Sequence, residues 1–230
     1  MYIGEEIPED HPYYVQKKLN SGPNQWPQTI PDKEEFQKTT ENYHTVYELA
    51  EDVLSVIALT LGVESTFFKP LTDESVATIR YLHYPTHPKD QDEKLNRGIG
   101  AHMDFGCVTH LLQDEVDGLQ VLDVSSGQWL DASPSNKIFI LKNRTNKSNI
   151  HRVINKSRRE RYSIPFFFSG NPDYLRERLP NCRAPGEAAK YAPITVQDMV
   201  TSAYKASYGR AEHYKEEMEK KNMASSSITA

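Results

Sequence analysis

The sequence has few cysteines and no long apolar run, and its first residues show no signal-peptide pattern. Cys107 and Cys182 are the only cysteines in 230 residues, too few and too far apart for a disulfide framework or a zinc cluster. The most apolar stretch, residues 53–63, is shorter than the roughly 18 residues that a transmembrane helix needs. Residues 1–6 contain neither the basic nor the apolar part of a signal peptide. We therefore expect a cytoplasmic protein that does not bind membranes.

A surplus of basic residues is also missing. The chain has 27 Lys and Arg against 32 Asp and Glu, a formal charge of −5, whereas a nucleic-acid-binding domain usually carries a positive excess. We therefore expect no nucleic-acid partner. The sequence does have aromatic residues, with 13 Tyr and 8 Phe, so it can bury a sizeable core. One large domain is the simplest organisation for this length.

The N-terminal part of the chain predicts an irregular segment followed by a long helix. Residues 1–31 hold five of the 14 prolines and are predicted to form an irregular lead-in. Asp32 is a candidate helix N-cap, and apolar residues follow at steps of three, four or seven as far as Leu61. This spacing predicts one amphipathic helix that ends at Gly62.

The remainder is predicted to be mainly β-structure. Short apolar segments alternate with turn residues and show no helical spacing between them, which indicates an antiparallel sandwich or small barrel. A helix then runs from Thr195 to about residue 207. The domain is expected to cover residues 32–210, and residues 211–230 are expected to form a charged, partly disordered tail. The candidate strands are residues 77–84, 99–104, 107–113, 119–124, 137–142, 150–155 and 161–169.

His102 and Asp104 are candidate metal ligands. Residues two apart in a strand project from the same face, so both side chains enter one space. His151 opens a later strand and is the candidate third ligand. Two histidines and one carboxylate on one side of an octahedral ion leave three positions open, as in non-haem Fe(II) oxygenases. From the spacing alone, a hydrogen-bonded His–Asp pair at a strand end is an equally good interpretation.

Arg161 and Ser163 also share a strand face. A guanidinium can grip a carboxylate through two hydrogen bonds, and the hydroxyl adds another donor. Facing an iron site across a small barrel, this pair would suit the far carboxylate of a 2-oxo acid whose other end binds the metal. The alternative is an exposed strand arginine beside a structural serine.

Together these motifs resemble a known family. The sequence is similar to the iron- and 2-oxoglutarate-dependent dioxygenases of the isopenicillin N synthase-like family, and most similar to fungal or bacterial members that hydroxylate small molecules in secondary metabolism. The likeness extends to about residue 205. It rests on His102-x-Asp104, His151-Arg152-Val153 and Arg161-x-Ser163 in this order, and on residues 3–6, 22–27, 80–85, 98–102, 118–121 and 191–195.

The resemblance implies a fold, a reaction and a metal. The fold would be mainly β with flanking α, a double-stranded β-helix (jelly roll) backed by a long helix. The enzyme would use O2 to oxidise, above all to hydroxylate, a small organic molecule, with release of succinate and CO2 and with ascorbate as a possible support. Fe(II) would bind His102, Asp104 and His151.

The resemblance also implies a binding site for the cosubstrate, 2-oxoglutarate. Its C5 carboxylate would bind Arg161 and Ser163. Tyr84 matches the tyrosine of a Tyr-Pro motif that contacts the cosubstrate in the family. A packed strand aromatic is an equally good interpretation of Tyr84.

The sequence departs from the family in two places. The family usually carries a further region before the point where Met1 stands, and a segment of roughly nine residues, more than one ordinary strand, before the distal histidine. We expect residues 143–149 to form an irregular loop, and the strand after His151 to pair with the strand that starts at Arg161. Iron affinity and turnover should then be lower than in a complete relative.

Two alternatives to this function remain open. One is a catalytically impaired jelly-roll remnant, which the short connection before His151 favours. The other is an oxidase that uses O2 without a 2-oxo acid, in which Arg161 and Ser163 hold a carboxylate of the substrate. His110 could be a spare ligand, but a packed histidine is the preferred interpretation.

Overall fold

A computed structural model describes residues 1–41, 43–86, 97–134, 139–142, 149–157, 159–177 and 192–207. The helices are α1 (Pro12–Val15), α2 (Lys33–Glu41), α3 (Tyr43–Thr60), α4 (Lys69–Thr72) and α5 (196–207). The strands are β1 (Tyr2–Gly4), β2 (Val76–Arg80), β3 (Leu82–Tyr84), β4 (Arg97–His102), β5 (Val108–Gln113), β6 (Leu119–Asp123), β7 (Gln128–Asp131), β8 (Phe139–Lys142), β9 (His151–Ile154), β10 (Arg161–Gly170), β11 (Leu175–Arg176) and β12 (Ile194–Thr195).

Two antiparallel sheets enclose a cavity. The larger sheet has the order β1-β2-β10-β5-β8, with β3 also paired to β10. The smaller sheet has the order β4-β9-β6-β7, and β11 and β12 pair separately. Side chains of both sheets line the cavity between them. The prediction of a mainly β chain built from antiparallel sheets is confirmed.

Strand β10 divides its side chains between the cavity and the core. Arg161, Ser163, Pro165 and Phe167 line the cavity. Residues at even numbers point the other way, because successive side chains of a strand alternate between faces. Phe168, which is fully buried, packs there against the helical side of the molecule. Truncating a phenylalanine in such a place costs about 3–5 kcal/mol.

Helix α3 covers the outer face of the larger sheet. Ala50, Leu54 and Ala58 recur every four residues and are buried in the same core as Phe168, which is the stripe that the spacing of the sequence predicts. The Tyr47 ring meets the Phe168 ring edge-on at 5.2 Å between centroids. The sequence predicts one helix from residue 32 to residue 62. The structure describes α2 and α3 as two segments, and residue 42 between them lies outside the described residues.

The N-terminal lead-in is more regular than the sequence predicts. It contains α1 and a strand, β1, that pairs antiparallel with β2, with Tyr2 opposite Arg80 and Gly4 opposite Thr78. The Asn24 side chain binds the end of β1, since its Oδ1 accepts from the Gly4 amide and its Nδ2 donates to the Gly4 carbonyl, both at 2.9 Å. The many prolines therefore do not prevent the first residues from extending the larger sheet.

The predicted pairing of the His151 strand with the Arg161 strand is wrong. Strand β9 pairs with β4 and β6 in the smaller sheet, whereas β10 pairs with β2, β3 and β5 in the larger one. The connection between them changes sheets through a turn held by buried Asn155. Its Nδ2 donates to the Arg159 carbonyl at 2.7 Å, and its Oδ1 accepts from the Ser157 hydroxyl at 2.8 Å.

Two predicted segments lie mostly or wholly outside the described residues. These are the loop at 143–149, of which only residue 149 is described, and the tail at 211–230. None of the helices in the described part of the chain is both long enough and apolar enough to cross a bilayer.

Candidate metal centre and carboxylate-binding residues

The structure brings the three predicted metal-ligand residues together. His102, the last residue of β4, lies directly opposite His151, the first residue of β9, and Asp104 follows two positions after β4. The Asp104 Oδ1 lies 3.6 Å from His102 Nε2 and 3.8 Å from His151 Nε2. One ligand atom from each residue lies within 4.8 Å of the other two. Such a cluster is small enough to hold one metal ion.

Both imidazoles are oriented by a carbonyl two residues earlier in the chain. His102 Nδ1 donates to the Gly100 carbonyl at 2.8 Å, and His151 Nδ1 donates to the Asn149 carbonyl at 3.0 Å. Because a carbonyl only accepts, Nδ1 carries the proton in both rings and the Nε2 lone pair is left for a metal. This is the arrangement that a metal-binding histidine requires.

Electrostatics also favours a neutral His102. Burial lowers the pKa of His102, and the neighbouring His151 lowers it further, while the hydrogen bond to the Gly100 carbonyl and the charge of Asp104 act in the opposite direction. A smaller lowering of this pKa comes from the positive charge of Arg80. A metal binds the deprotonated imidazole, so a lowered pKa prepares this ring for coordination.

Arg161 is the most deeply buried charged side chain at the cavity. It is 0% exposed; its Nη2 donates to Gln113 Oε1, and its Cζ lies 4.9 Å from the centre of the Tyr84 ring. Its Nε and Nη1 are buried and form no hydrogen bond with any described residue, and the same holds for the Tyr84 hydroxyl. Ser163, 3% exposed, stands on the same strand face. A buried cation with unused donors is costly, and a bound carboxylate would satisfy it.

Two glycines make room for this cationic site. A Cβ on Gly118, whose φ is +150°, would lie 3.0 Å from the Ile154 carbonyl oxygen and 3.4 Å from Arg161 Cδ. A Cβ on Gly98 would lie 2.5 Å from Tyr84 Cδ1. The Gly98 contact is far closer than the usual carbon–carbon separation of about 3.5–4.0 Å, so a larger residue there would displace the Tyr84 ring. At Gly118 the tight neighbour is the Ile154 carbonyl, and the Arg161 side chain lies just beyond it at ordinary contact distance.

One cavity of about 780 Å³ contains both groups of residues. It reaches from the His102–Asp104–His151 cluster to Arg161 and Ser163, and its other walls are largely aromatic and apolar but include Arg80. Ligand pockets for small molecules usually measure about 300–1,000 Å³. The space is therefore sufficient for a small dicarboxylate together with a second small molecule.

Two neighbours of Arg161 are not among the site residues predicted from the sequence. Gln113 accepts a hydrogen bond from the guanidinium, and Gly118 lies against the Arg161 side chain. Strand alternation in the sequence puts residues 109, 111 and 113 on one face, but only the pairing of Gln113 with Ser163 in the structure brings Gln113 to Arg161. The role of Gly118 depends on the approach of β10 from the other sheet, which no local pattern reports.

His110 lies away from the metal cluster. It is 1% exposed, its ring stacks on Phe166 with centroids 5.9 Å apart, and burial lowers its pKa. Directly before β5, the Cys107 thiol donates to the Ser169 carbonyl at 3.1 Å, and burial raises the pKa of this thiol to about 11. Both positions belong to the packed side of the larger sheet.

The donor set of the cluster fits Fe(II). Two imidazole nitrogens and a carboxylate oxygen are the side-chain ligands of non-haem Fe(II) oxygenases, and they leave coordination positions open for other molecules. The unused donors of Arg161 and Tyr84 in the same cavity fit an anionic cosubstrate. The residues present therefore match both components of an Fe(II)- and 2-oxoglutarate-dependent site.

Comparison with known proteins agrees with this chemistry. Residues 74–170 match the 2OG-Fe(II) oxygenase superfamily. The chain is 65% identical over 234 aligned positions to a 2-oxoglutarate-Fe(II) type oxidoreductase of Emericella nidulans, covering 97% of this chain and 67% of the relative. It is 48% identical to a 2-oxoglutarate-Fe(II) type oxidoreductase of Aspergillus fumigatus, covering 94% of this chain and 67% of the relative.

A solved structure provides a second comparison. The chain superposes on a full-length Neurospora crassa protein, crystallised in complex with alpha-KG, with a TM-score of 0.76 and 28% identity, covering 90% of this chain and 64% of that one. This chain thus spans about two thirds of the length of the proteins it matches. The predicted enzyme class and the predicted cofactors, Fe(II) and 2-oxoglutarate, are confirmed. The chain belongs to the 2OG-Fe(II) oxygenase superfamily.

Proposed function

We propose that the chain catalyses the Fe(II)- and 2-oxoglutarate-dependent oxidation, foremost the hydroxylation, of a small organic molecule. The observation that carries this proposal is the presence, in one cavity, of the His102–Asp104–His151 cluster and of an Arg161 guanidinium with unused donors. The balanced reaction is R–H + 2-oxoglutarate + O2 → R–OH + succinate + CO2. The relatives' names favour this function over an impaired remnant and over an oxidase that needs no 2-oxo acid.

In this proposal the metal is held by His102, Asp104 and His151. The backbone carbonyls of Gly100 and Asn149 hold the two imidazoles with their Nε2 lone pairs available. Asp104 brings the negative charge that offsets part of the metal's charge. When bound, Fe(II) supplies the activation of O2 that is coupled to decarboxylation of 2-oxoglutarate. The protein holds the reactants in one cavity.

The cosubstrate's C5 carboxylate is assigned to Arg161, Ser163 and Tyr84. Arg161 has two donor atoms without a partner among the described residues, and Tyr84 offers a buried hydroxyl. Hydrogen bonds to a charged group contribute about 1.5–3 kcal/mol each. A carboxylate that enters here would neutralise the guanidinium, and the cavity would direct the other end of the molecule towards the metal.

The fold assigned to the chain is a double-stranded β-helix backed by a long helix. The two antiparallel sheets around one cavity support the first part, and the packing of α3 on the larger sheet supports the second. A continuous helix from residue 32 to residue 62 is part of the proposal, as are a cytoplasmic location and the absence of nucleic-acid and membrane partners.

Succinate formation tests the proposed function. Purified protein with Fe(II), ascorbate, 2-oxoglutarate and air is assayed with and without a panel of candidate small-molecule substrates. It should release succinate with at least one of them, and should release none when Fe(II) is withheld. Asp104→Ala should abolish succinate release, while Asp52→Ala, at an exposed position on α3, should leave it unchanged. Succinate release by Asp104→Ala at the wild-type rate would remove Asp104 from the metal site. A wild-type protein that binds Fe(II) but releases no succinate would support the impaired remnant.

A further inference from the structure

Arg80 is a second arginine at the same cavity. It is the last residue of β2 and partly buried. Its neighbour Ile79 is buried in the core behind the larger sheet, so strand alternation turns Arg80 to the opposite, cavity-facing side. Arg161 and Arg80 therefore supply two separate positive charges to one enclosed space.

No acidic side chain neutralises Arg80 within the described part of the chain. None of the ion pairs formed there includes it. Arg80 instead contacts an aromatic ring, since its Cζ lies 4.9 Å from the centre of the Tyr2 ring, on the residue that β1 places directly opposite. A ring face stabilises a guanidinium but leaves its in-plane N–H donors available for an anion.

The walls around Arg80 are largely aromatic and apolar. Tyr2, Phe105 and Tyr204 line the same cavity, and the Phe105 and Tyr204 rings meet edge-on at 5.6 Å between centroids. Helix α5 adds the small apolar side chain of Val200. A guanidinium set among aromatic rings is complementary to a flat molecule that carries one anionic group.

We propose that Arg80 determines substrate specificity by binding the carboxylate of a small aromatic acid. This inference rests on the proposed function, since it assigns 2-oxoglutarate to Arg161 and leaves Arg80 for the substrate. The two arginines separate the two acids: Arg161 holds the cosubstrate, and Arg80 holds the molecule to be oxidised. The ring of the acid packs against Tyr2, Phe105 and Tyr204.

The test measures binding of matched acids and amides. Protein loaded anaerobically with Mn(II) and 2-oxoglutarate, which does not turn over, is titrated calorimetrically with benzoate, 4-hydroxybenzoate and 2-furoate and with the three corresponding amides. At least one acid should bind at least tenfold more tightly than its amide. Arg80→Gln should remove this preference, a loss of about ten- to a hundredfold for a charged hydrogen-bonded contact, and Arg80→Lys should keep part of it.

The controls separate this inference from the proposed function. Arg159→Gln changes an exposed arginine that pairs with Glu115 and should leave acid binding unchanged. Affinity for 2-oxoglutarate should be the same in Arg80→Gln and wild type, which also shows that the variant is folded. Three results would overturn the inference. They are that no acid binds more tightly than its amide, that Arg80→Gln keeps the preference for acid over amide, or that this variant has a reduced affinity for 2-oxoglutarate. A wild-type protein that fails to bind 2-oxoglutarate contradicts the proposed function itself.

Discussion

The metal end and the arginine end of the cavity are built in different ways. At the metal end, each histidine is oriented by a carbonyl two residues earlier in its own segment, and the His102 side chain is still 36% exposed. At the arginine end, Arg161 is 0% exposed, and the side chain that holds it, Gln113, lies 48 residues away in the sequence. The orientation of each imidazole is thus fixed locally, whereas the orientation of Arg161 depends on a tertiary contact.

This difference predicts how substitutions at each end affect protein stability and ligand binding. A change at a metal-ligand residue removes a donor but leaves the register of β4 and β9 intact, so the fold should survive. A change around Arg161 affects a buried charge, and breaking the contacts of such a charge is strongly destabilising. We therefore expect metal-end variants to lose chemistry alone, and arginine-end variants to lose stability or cosubstrate affinity as well.

The largest expected effect is at the metal end. His151→Ala should lower Fe(II) affinity by more than about 100-fold, since even residues that only orient a ligand contribute about 10- to 100-fold. The melting temperature of the metal-free protein should change little. Anaerobic Fe(II) titration and thermal unfolding measure the two quantities, and His83→Ala, at an exposed histidine, is the control. Equal Fe(II) affinity in wild type and His151→Ala would exclude His151 as a ligand.

At the arginine end, Gln113→Glu should place a carboxylate beside Arg161 that competes with the cosubstrate. We expect 2-oxoglutarate affinity to fall about ten- to a hundredfold while the melting temperature without 2-oxoglutarate does not fall. Fe(II) affinity should be unchanged. Calorimetry with both ligands measures this, with Gln128→Glu on exposed β7 as the matched control. An unaltered 2-oxoglutarate affinity in Gln113→Glu would show that the guanidinium does not receive the cosubstrate.

Paired glycine variants separate backbone strain from crowding of Arg161. Gly118 has φ +150° and Gly127 has φ +71°. An added Cβ at Gly118 would crowd the Ile154 carbonyl at 3.0 Å and touch Arg161 Cδ at 3.4 Å, whereas at Gly127 nothing lies within 4 Å. Each change to alanine should cost roughly 1–3 kcal/mol of stability. Only Gly118→Ala should also lower the affinity for 2-oxoglutarate, by several-fold. Chemical denaturation measures the loss of stability, and calorimetry measures the affinity for 2-oxoglutarate. A similar loss of cosubstrate affinity in Gly127→Ala would contradict the steric explanation.

The smallest expected effect concerns a histidine that belongs to neither end. Burial lowers the pKa of His110 in the folded protein, so between the folded and unfolded pKa values the unfolded chain binds more protons and stability rises with pH. The contribution of the neutral ring is complete above the unfolded value of about 6.5 and is lost as the pH falls below it. His110→Leu should flatten this dependence relative to wild type.

Denaturant unfolding at several pH values between about 5 and 8 measures the effect of His110. His102 has a pKa lowered in the same direction, but it is present in both proteins, so the difference between their curves isolates His110. His83→Leu is the control. The same acid dependence in His110→Leu and wild type would mean that the buried ring does not govern this part of the stability curve.

The sequence predicts the local parts of the site better than the tertiary parts. Strand alternation alone places His102 with Asp104 and Arg161 with Ser163, because both pairs are two residues apart. It cannot show that β9 and β10 lie in different sheets, since that depends on the turn held by Asn155. For the same reason the sequence does not identify Gln113 as a partner of Arg161.

In the proposed function, one cavity holds Fe(II) at one end and the cosubstrate's far carboxylate at Arg161. The most direct test is an anaerobic titration of the Fe(II)-loaded protein with 2-oxoglutarate, followed by the visible charge-transfer absorption of the chelate. Arg161→Lys should bind Fe(II) normally but need about ten- to a hundredfold more 2-oxoglutarate, and Arg159→Lys should match wild type. Identical 2-oxoglutarate affinity in Arg161→Lys and wild type would contradict the assignment of the cosubstrate carboxylate to Arg161.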